Sequence, residues 1–479
     1  MDSKELLKLI DLLQKESLAR ASDRAVFGQT ISDLNGIIVK LNATIITLNE
    51  TIGNLLEENR LLRTPQKNSG NSSVPPSKDE NRLRKTTSLR GSSGKLPGGQ
   101  TGHEGSTLKM TSVPDKVIEY KPEYCTCCGL GLQGQQAELA ACRQVIDIPP
   151  IKPFYTEHRV YRAVCSCGHQ TQSTFPAGVS APISYGHQTE ALISYLHTRQ
   201  YIPFARISEF LTSVCSMPIS QGTVCGILER FATKAKPAYQ LIKTAVGRAN
   251  VIGADETGAN QNGKLNWFWT WQSKLATFIC YSSNRGLDTI EENFPLGFPD
   301  AVLVHDCWKS HFNTPALGHQ ICTAHLLREL VFFEEKYKST WASDFKQMLY
   351  RALELKKTML PMEYDRPVKE RAGLEAKLGR LLKEKINENH IEVATFQRRI
   401  LKYEEYLFTF LYHSQVPPDN NASERAIRNI KVKQKISGMF KSPKGAQIYA
   451  VIRSITDTCT KNGQSILNEF STIAQLQPE

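Results

Sequence analysis

Between residues 31 and 62, apolar side chains return in alternating steps of three and four: Ile31, Leu34, Ile38, Leu41, Ile45, Leu48, Ile52, Leu55 and Leu62. A repeat averaging 3.5 residues keeps one stripe of a helix facing a partner helix. Ile fills every a position up to Ile52 and Leu fills every d position, which favours a parallel two-stranded coil. Asn59, at the next a position, is the polar residue that sets register in such coils. Residues 1–63 are therefore expected to form a coiled-coil dimerisation helix, making the chain a homodimer or higher oligomer. The alternative is a helix packed on its own domain.

The remaining length leaves room for about three domains in a chain of 479 residues. No run approaches 18 consecutive apolar residues, which argues against a membrane span, and with no basic amphipathic anchor no membrane partner is expected. The acidic, amphipathic start has no small-residue cleavage site, so a cytoplasmic location is expected. The net charge of +12 favours a polyanionic partner, nucleic acid before membrane. Ten Lys/Arg against three Asp/Glu between Arg60 and Lys109 supply +7 of it. This Ser-, Gly- and Pro-rich stretch reads as a basic flexible linker over 64–112, either a solvated tether or an arm following a phosphate backbone.

Twelve cysteines in a cytosolic chain point to metal ligands or scattered core thiols rather than disulfides. Cys125-x2-Cys128-Gly and Cys165-x-Cys167-Gly flank a segment that reads as strands (CRQVIDIPP, FYTEHRVYRAV). Paired cysteines joined by a β-ribbon suit a closed, structural four-thiolate Zn²⁺ site within a domain at 113–178; Cys127 is an extra thiol that could replace Cys125 or Cys128, although CxxCG is the better knuckle spacing. Residues 179–245 read as helical. RISEFLTSVCSM, a break at Pro218-Ile219-Ser220 and QGTVCGILERF give two helices with a Ser cap on the second. The pair is either a plain helical hairpin or a helix-turn-helix that reads DNA.

From about residue 246 the pattern becomes that of a mixed α/β sheet. ANVIGADETG, LNWFWTWQS, ATFICYSSNRG, DAVLVHDCWKSHF and HQICTAH read as strands, and a charged helical insertion spans about 332–415. Asp255 and Asp306 fall at strand ends. Asp419 or Asn420 can cap a helix carrying Glu424 one turn in. If the three acids meet, they offer hard carboxylate oxygens suited to Mg²⁺ or Mn²⁺. From Arg425 to Lys444 there are seven Lys/Arg and no acids, a basic face that includes Arg425, Arg428, Lys431, Lys433 and Lys435.

The stretches NSSVPPSKD, PGGQTGHEGSTL, CTCCG…CSCG, ADETG, HDCWKSHFN, CTAHLLREL and DNNASERAIR…KISGMFKSPKGAQIYAVIRS…KNG follow one another in a fixed order. Together they resemble the large transposase of the insertion-sequence sixty-six family, over nearly the whole chain. The resemblance implies a DDE-type DNA transposase: a multidomain α+β chain with a ribonuclease-H-like catalytic core at 246–479, interrupted by the helical insertion. Asp255, Asp306 and Glu424 match its three acids, which would hold two Mg²⁺ or Mn²⁺ ions per active site. Cys125, Cys128, Cys165 and Cys167 match its Zn²⁺ ligands, and Cys322-x2-His325 matches an element between the second and third acids, either half of a metal site or, as favoured here with no second ligand pair nearby, a packing and hydrogen-bonding pair beside the acids.

Cys322, His325, His305 and Asn420 are supporting candidates, with His305 either orienting a carboxylate or serving as an ordinary strand residue. Glu256 falls on the opposite face of the strand from Asp255 and is not expected to be catalytic. Where many relatives carry a Tyr after the second acid, this chain has Cys307-Trp308-Lys309. The implied partners are the element's terminal repeats, target DNA and accessory proteins of the same bacterial element. A metal-dependent nuclease would share the acids without joining DNA. A non-enzymatic DNA-binding regulator would need only the coil, zinc module and basic patches.

Overall fold

Helix α1 (Ser3–Arg63) runs unbroken for 61 residues, and the heptad Ile and Leu from Ile31 to Leu55 are each 52–58% exposed along it. Its Ile/Leu content makes part of it apolar enough to cross a membrane by length and composition alone. The structure, a computed structural model, describes residues 3–63, 67–68, 71, 102, 108–176, 178–179 and 181–477. Most of the basic linker at 64–112 lies outside these. The chain divides into two units.

In the second unit, the cysteine-rich segment forms two tight turns and a short ribbon. Strand β1 (Arg162–Val164) pairs antiparallel with β2 (Gln170–Gln172), closing the turn that carries Cys165 and Cys167. Tyr124 bridges Gly131 around Cys125–Cys128. Gly129 and Gly168 take φ of +76° and +86°, a conformation that costs glycine nothing. The ribbon is shorter than the sequence predicts, and CRQVIDIPP forms no strand. Its Val145 and nearby Phe154 are 94% and 93% exposed, so no second strand or core rewards extended pairing there.

Four helices follow: α2 (His187–Thr198), α3 (Phe204–Cys215), α4 (Gln221–Lys234) and α5 (Lys236–Gly247). Ser220 caps α4 by accepting the Thr223 N–H at 3.1 Å, the signal that separates α3 from α4. Then come β3 (Val251–Gln261), β4 (Lys264–Gln272), β5 (Thr277–Ser282), α6 (Leu287–Asn293), β6 (Phe298–His305), α7 (Lys309–Phe312) and β7 (Ala316–Ile321). The sheet order is β5-β4-β3-β6-β7, with β3, β4 and β5 antiparallel and β6 and β7 added parallel to β3. Asn262 (φ +49°) and Gly263 (φ +82°) make the two-residue turn between β3 and β4, the Asn-Gly pair whose twist matches a hairpin.

Helices α8 (Thr323–Tyr337), α9 (Thr340–Thr358), α10 (Lys369–Lys383) and α11 (Ile391–Lys402) make up the insertion. Helices α12 (Asn421–Ser437), α13 (Pro443–Lys461) and α14 (Ile466–Gln475) close the chain. Within the first unit, Phe396 packs edge-on to Phe333, Trp341 and Phe345, and Trp341 Nε1 donates to the Leu381 carbonyl at 2.9 Å. In the second unit, alternation along the strands splits the interior into two faces. Trp269, Trp271 and Phe278 face one core together with α2–α5, Ile452 and Phe470. Phe268 and Ile279 face the other, with Ile430, Phe440 and Tyr449 of the α12–α13 region. The multidomain α+β arrangement with a mixed sheet is the expected one. Helices α2–α5 share a core with the sheet rather than building their own.

Candidate active site

Asp306 follows the last residue of β6, but Asp255 lies in mid-β3 rather than at a strand end, because pairing with β4 carries the strand on to Gln261. Their parallel register pairs Gly253 with Val304; carried on by two residues, it brings Asp255 level with Asp306. Glu424 arrives in the first turn of α12. Burial raises the Asp255 carboxyl well above the usual carboxylate range, reinforced by the negative charges of Asp306, Glu256 and Glu424. Three separated acids therefore act on one another across a shared, partly shielded space. A set of hard oxygens whose mutual repulsion only a cation relieves is the donor set a divalent metal needs.

The third acid is held in place through its neighbours. Asn420 stands at the N-cap of α12, yet its side chain leaves the helix amides alone. Its Nδ2 donates to the Ala254 carbonyl at 2.7 Å, and its Oδ1 accepts the Ser423 hydroxyl at 2.6 Å. Its backbone N–H donates to the Cys322 thiol at 3.2 Å, while Asp419 accepts the Asn421 N–H at 3.0 Å. Asn420 thus ties the helix that carries Glu424 to the strand that carries Asp255.

Gly253 makes that approach possible. A Cβ there would stand 2.5 Å from both Gln272 Nε2 and Ser423 Oγ and 2.8 Å from Asn420 Oδ1. Gly253→Ala should push the start of α12 off β3, costing about 1–3 kcal/mol as overpacking does. Thermal unfolding against wild type tests this, and an unchanged Tm would contradict it.

The supporting candidates fall as follows. Cys322 is buried at the end of β7, with its thiol within 4.8 Å of a Glu424 carboxylate oxygen. His325 is in the first turn of α8. His305 is fully buried; Nδ1 contacts the Asp306 carbonyl and Nε2 lies 3.1 Å from His319 Nδ1. Burial, with the charges of His311 and His319, holds the His305 imidazole well below its usual range, so it stays neutral. Asp306 Oδ1 accepts the Trp308 N–H at 2.9 Å. Sequence reasoning missed Gly253 and Trp308. A lone glycine inside the buried run VIGAD was the available signal for the first.

The basic face is smaller than its sequence suggests. Arg425, Arg428 and Lys435 are exposed, and Lys431 donates to the Gly258 carbonyl at 2.6 Å. Lys433 is only 5% exposed, with Nζ 3.4 Å from His197 Nδ1, so it turns inward rather than toward a phosphate. The period of α12 puts it on the side facing the core. Burial lowers its pKa to about 8, below the 10.5 of a free lysine.

That buried charge costs stability below about pH 8, and the cost disappears as the pH rises toward 10.5. Lys433→Met should therefore raise Tm at pH 7, with the gain shrinking by pH 10. It should leave the salt dependence of DNA binding unchanged, whereas Lys435→Met should lower the slope by about one. Loss of DNA affinity in Lys433→Met at full stability would overturn this placement.

The four cysteines are brought together only in pairs. The Cys125 thiol is held below its usual range by the amides of Cys128 and Cys127, and the Cys165 thiol by the amide of Cys167, as in metal-binding knuckles. Among the described residues, the two pairs do not gather into one cluster.

The family model for the Transposase IS66 family matches residues 183–448, more than half of the chain and spanning α2 to α13, and the chain belongs to that family. Membership implies a transposase-type enzyme, with DNA as its partner and a divalent metal requirement. A comparison with curated proteins finds no match.

Proposed function

We propose that the chain is a DDE-type DNA transposase with a ribonuclease-H-like core, and that Asp255, Asp306 and Glu424 are its catalytic acids. The observation that carries this reading is the approach of three carboxylates from distant stretches, in mid-β3, just past β6 and in the first turn of α12. The sheet supports the core assignment: three antiparallel strands, two more parallel to the first, and acids on the first and fourth. Asp255, Asp306 and Glu424 would hold Mg²⁺ or Mn²⁺, two ions per site by family resemblance. When bound, these would stabilise the attacking and leaving oxygens of in-line phosphoryl transfer.

The chain's own residues set up that chemistry. The Glu256 N–H fixes Asp255 Oδ1 at 2.9 Å, the Trp308 N–H fixes Asp306, and Asn420 fixes the turn carrying Glu424. Exposed Arg425 and Arg428 beside Glu424, with Lys435 about three turns further along α12, position phosphates without reading bases. Arg428 lies 3.6 Å from Glu424 but is 72% exposed, so the pair adds little stability and the guanidinium can turn to DNA.

Family resemblance assigns Cys125, Cys128, Cys165 and Cys167 to one structural Zn²⁺ site; the two knuckles stand apart here, so the ion itself would have to draw them together. The exposed heptad stripe of α1 would pair two copies in parallel. In this reading water attacks the phosphodiester at each element end and displaces its 3′-oxygen, freeing a 3′-hydroxyl; that hydroxyl then attacks a target phosphodiester, forming a new P–O bond as the target's own 3′-oxygen leaves.

The test is incubation of a labelled element-end duplex with plasmid, with Mg²⁺ or EDTA. Joined product that requires the metal is expected. Cleavage without joining would make the chain a nuclease, and binding without either reaction would make it a regulator.

A further inference from the structure

Glu256, next to Asp255 but on the reverse face of β3, is a carboxylate the reaction does not use. Its side chain is 1% exposed and fully engaged. Oε1 accepts two hydrogen bonds from Arg285, from Nε at 2.9 Å and Nη2 at 2.8 Å, and Oε2 lies 3.0 Å from His311 Nε2. Both partners lead to the second acid. The Arg285 guanidinium stacks 3.7 Å above the Trp308 ring, with Trp267 at 4.6 Å. The Trp308 N–H is the donor to Asp306, and the Trp308 carbonyl accepts the His311 N–H at 3.2 Å.

We propose that Glu256 is a positioning residue for the second acid: from the back of the first-acid strand it clamps the turn from Asp306 to His311, directly through His311 and through Arg285 stacked on Trp308. The inference rests on the reading of Asp306 as a catalytic acid. Packing alone does not explain a carboxylate here, because its charge adds to the repulsion already acting on Asp255. An apolar side chain would fill the space without that cost. A carboxylate can grip a guanidinium and an imidazole at once, with geometry no apolar group offers.

The test uses the full chain and two readouts, hydrogen exchange of the 305–312 segment without metal and Mn²⁺ binding. Glu256→Ala should speed exchange in that segment at least about tenfold while β4 and β5 keep their protection. It should weaken Mn²⁺ binding by about 10–100-fold, the usual effect of losing a group that orients a ligand. Glu256→Gln, which keeps an acceptor for Arg285, should restore most of both, and Arg285→Lys should reproduce part of the loss. If Glu256→Ala fails to fold, the Gln and Lys variants decide.

Unchanged exchange and Mn²⁺ affinity, or faster exchange throughout the core, would overturn the proposal. If Asp306→Asn leaves wild-type Mn²⁺ binding intact, the acid assignment fails instead. Faster local exchange in Glu256→Ala alongside that result would still show the clamp.

Discussion

Glu424→Gln should abolish metal-dependent strand joining, with a loss above about 10³-fold, while element-end DNA binds as tightly as to wild type. The magnitude separates a metal-holding acid from the groups around it, whose loss typically costs about 10–100-fold. The substitution keeps the shape and removes the charge. The Asn420 tie to Ala254 and the Ser423 contact do not involve the Glu424 side chain, so α12 should keep its place. Joining product quantified with Mg²⁺, beside a salt-titrated binding assay, gives the answer. Residual joining within tenfold of wild type would remove Glu424 from the catalytic set. Equal losses of joining and binding would reduce it to a structural residue.

Asp255→Asn should make the metal-free protein more stable. The carboxyl's pKa is raised in the folded state, above an unfolded value of about 3.9. Its contribution is therefore fully present below about pH 4 and is lost as the pH rises through the folded value. At neutral pH, ionising the buried Asp255 carboxyl beside Asp306, Glu256 and Glu424 is a net cost to the fold. Each unit of separation between the folded and unfolded values is worth about 1.4 kcal/mol. A gain of that size raises the Tm of a domain this large by roughly 2–4 °C per kcal/mol.

In EDTA, the Tm difference between Asp255→Asn and wild type should grow from pH 4 to pH 8. With Mg²⁺ the order should reverse, because only wild type gains the cation's stabilisation. A variant less stable than wild type in EDTA at pH 8 would mean that the acids do not repel one another as their placement requires.

Part of this centre was legible in the chain because strand periodicity leaves local marks, and Asp306 does end an apolar run; Asp255 does not, since β3 continues past it. The run VIGADETG alternates so that Asp255 and Glu256 must point to opposite faces, and their partners differ accordingly: one meets acids, the other Arg285 and His311. The Ser220 cap and the Asn262-Gly263 turn are likewise written in adjacent residues. Long-range closure was not. Nothing near Gly253 announces that Ser423 and Asn420, 170 and 167 positions later, will lie against it, and no spacing rule predicts contacts set by how a helix crosses a sheet. Lys433 looked like its basic neighbours because composition records charge, while the helical period decides which charges turn inward. Of the strands expected between the cysteine pairs only Arg162–Val164 forms, for a related reason: β-branched residues favour extension, but only a partner strand makes a sheet.

Between the second and third acids the chain departs at Thr323 and comes back at Pro418. Both the backbone N–H and the hydroxyl of Thr323 donate to the Pro418 carbonyl, at 3.0 and 2.8 Å. Departure and return are thus latched together on the floor of the site, and the roughly hundred residues between them close a loop whose ends are already fixed. Loop-closure entropy grows only with the logarithm of length. The size of this excursion can consequently drift, by gain or loss of whole helices, with little penalty at the acids. With its two ends latched, and Thr409 and Phe410 further bonded to His319 and Gln320 of β7, the excursion can change length in its middle while both ends stay anchored to the sheet.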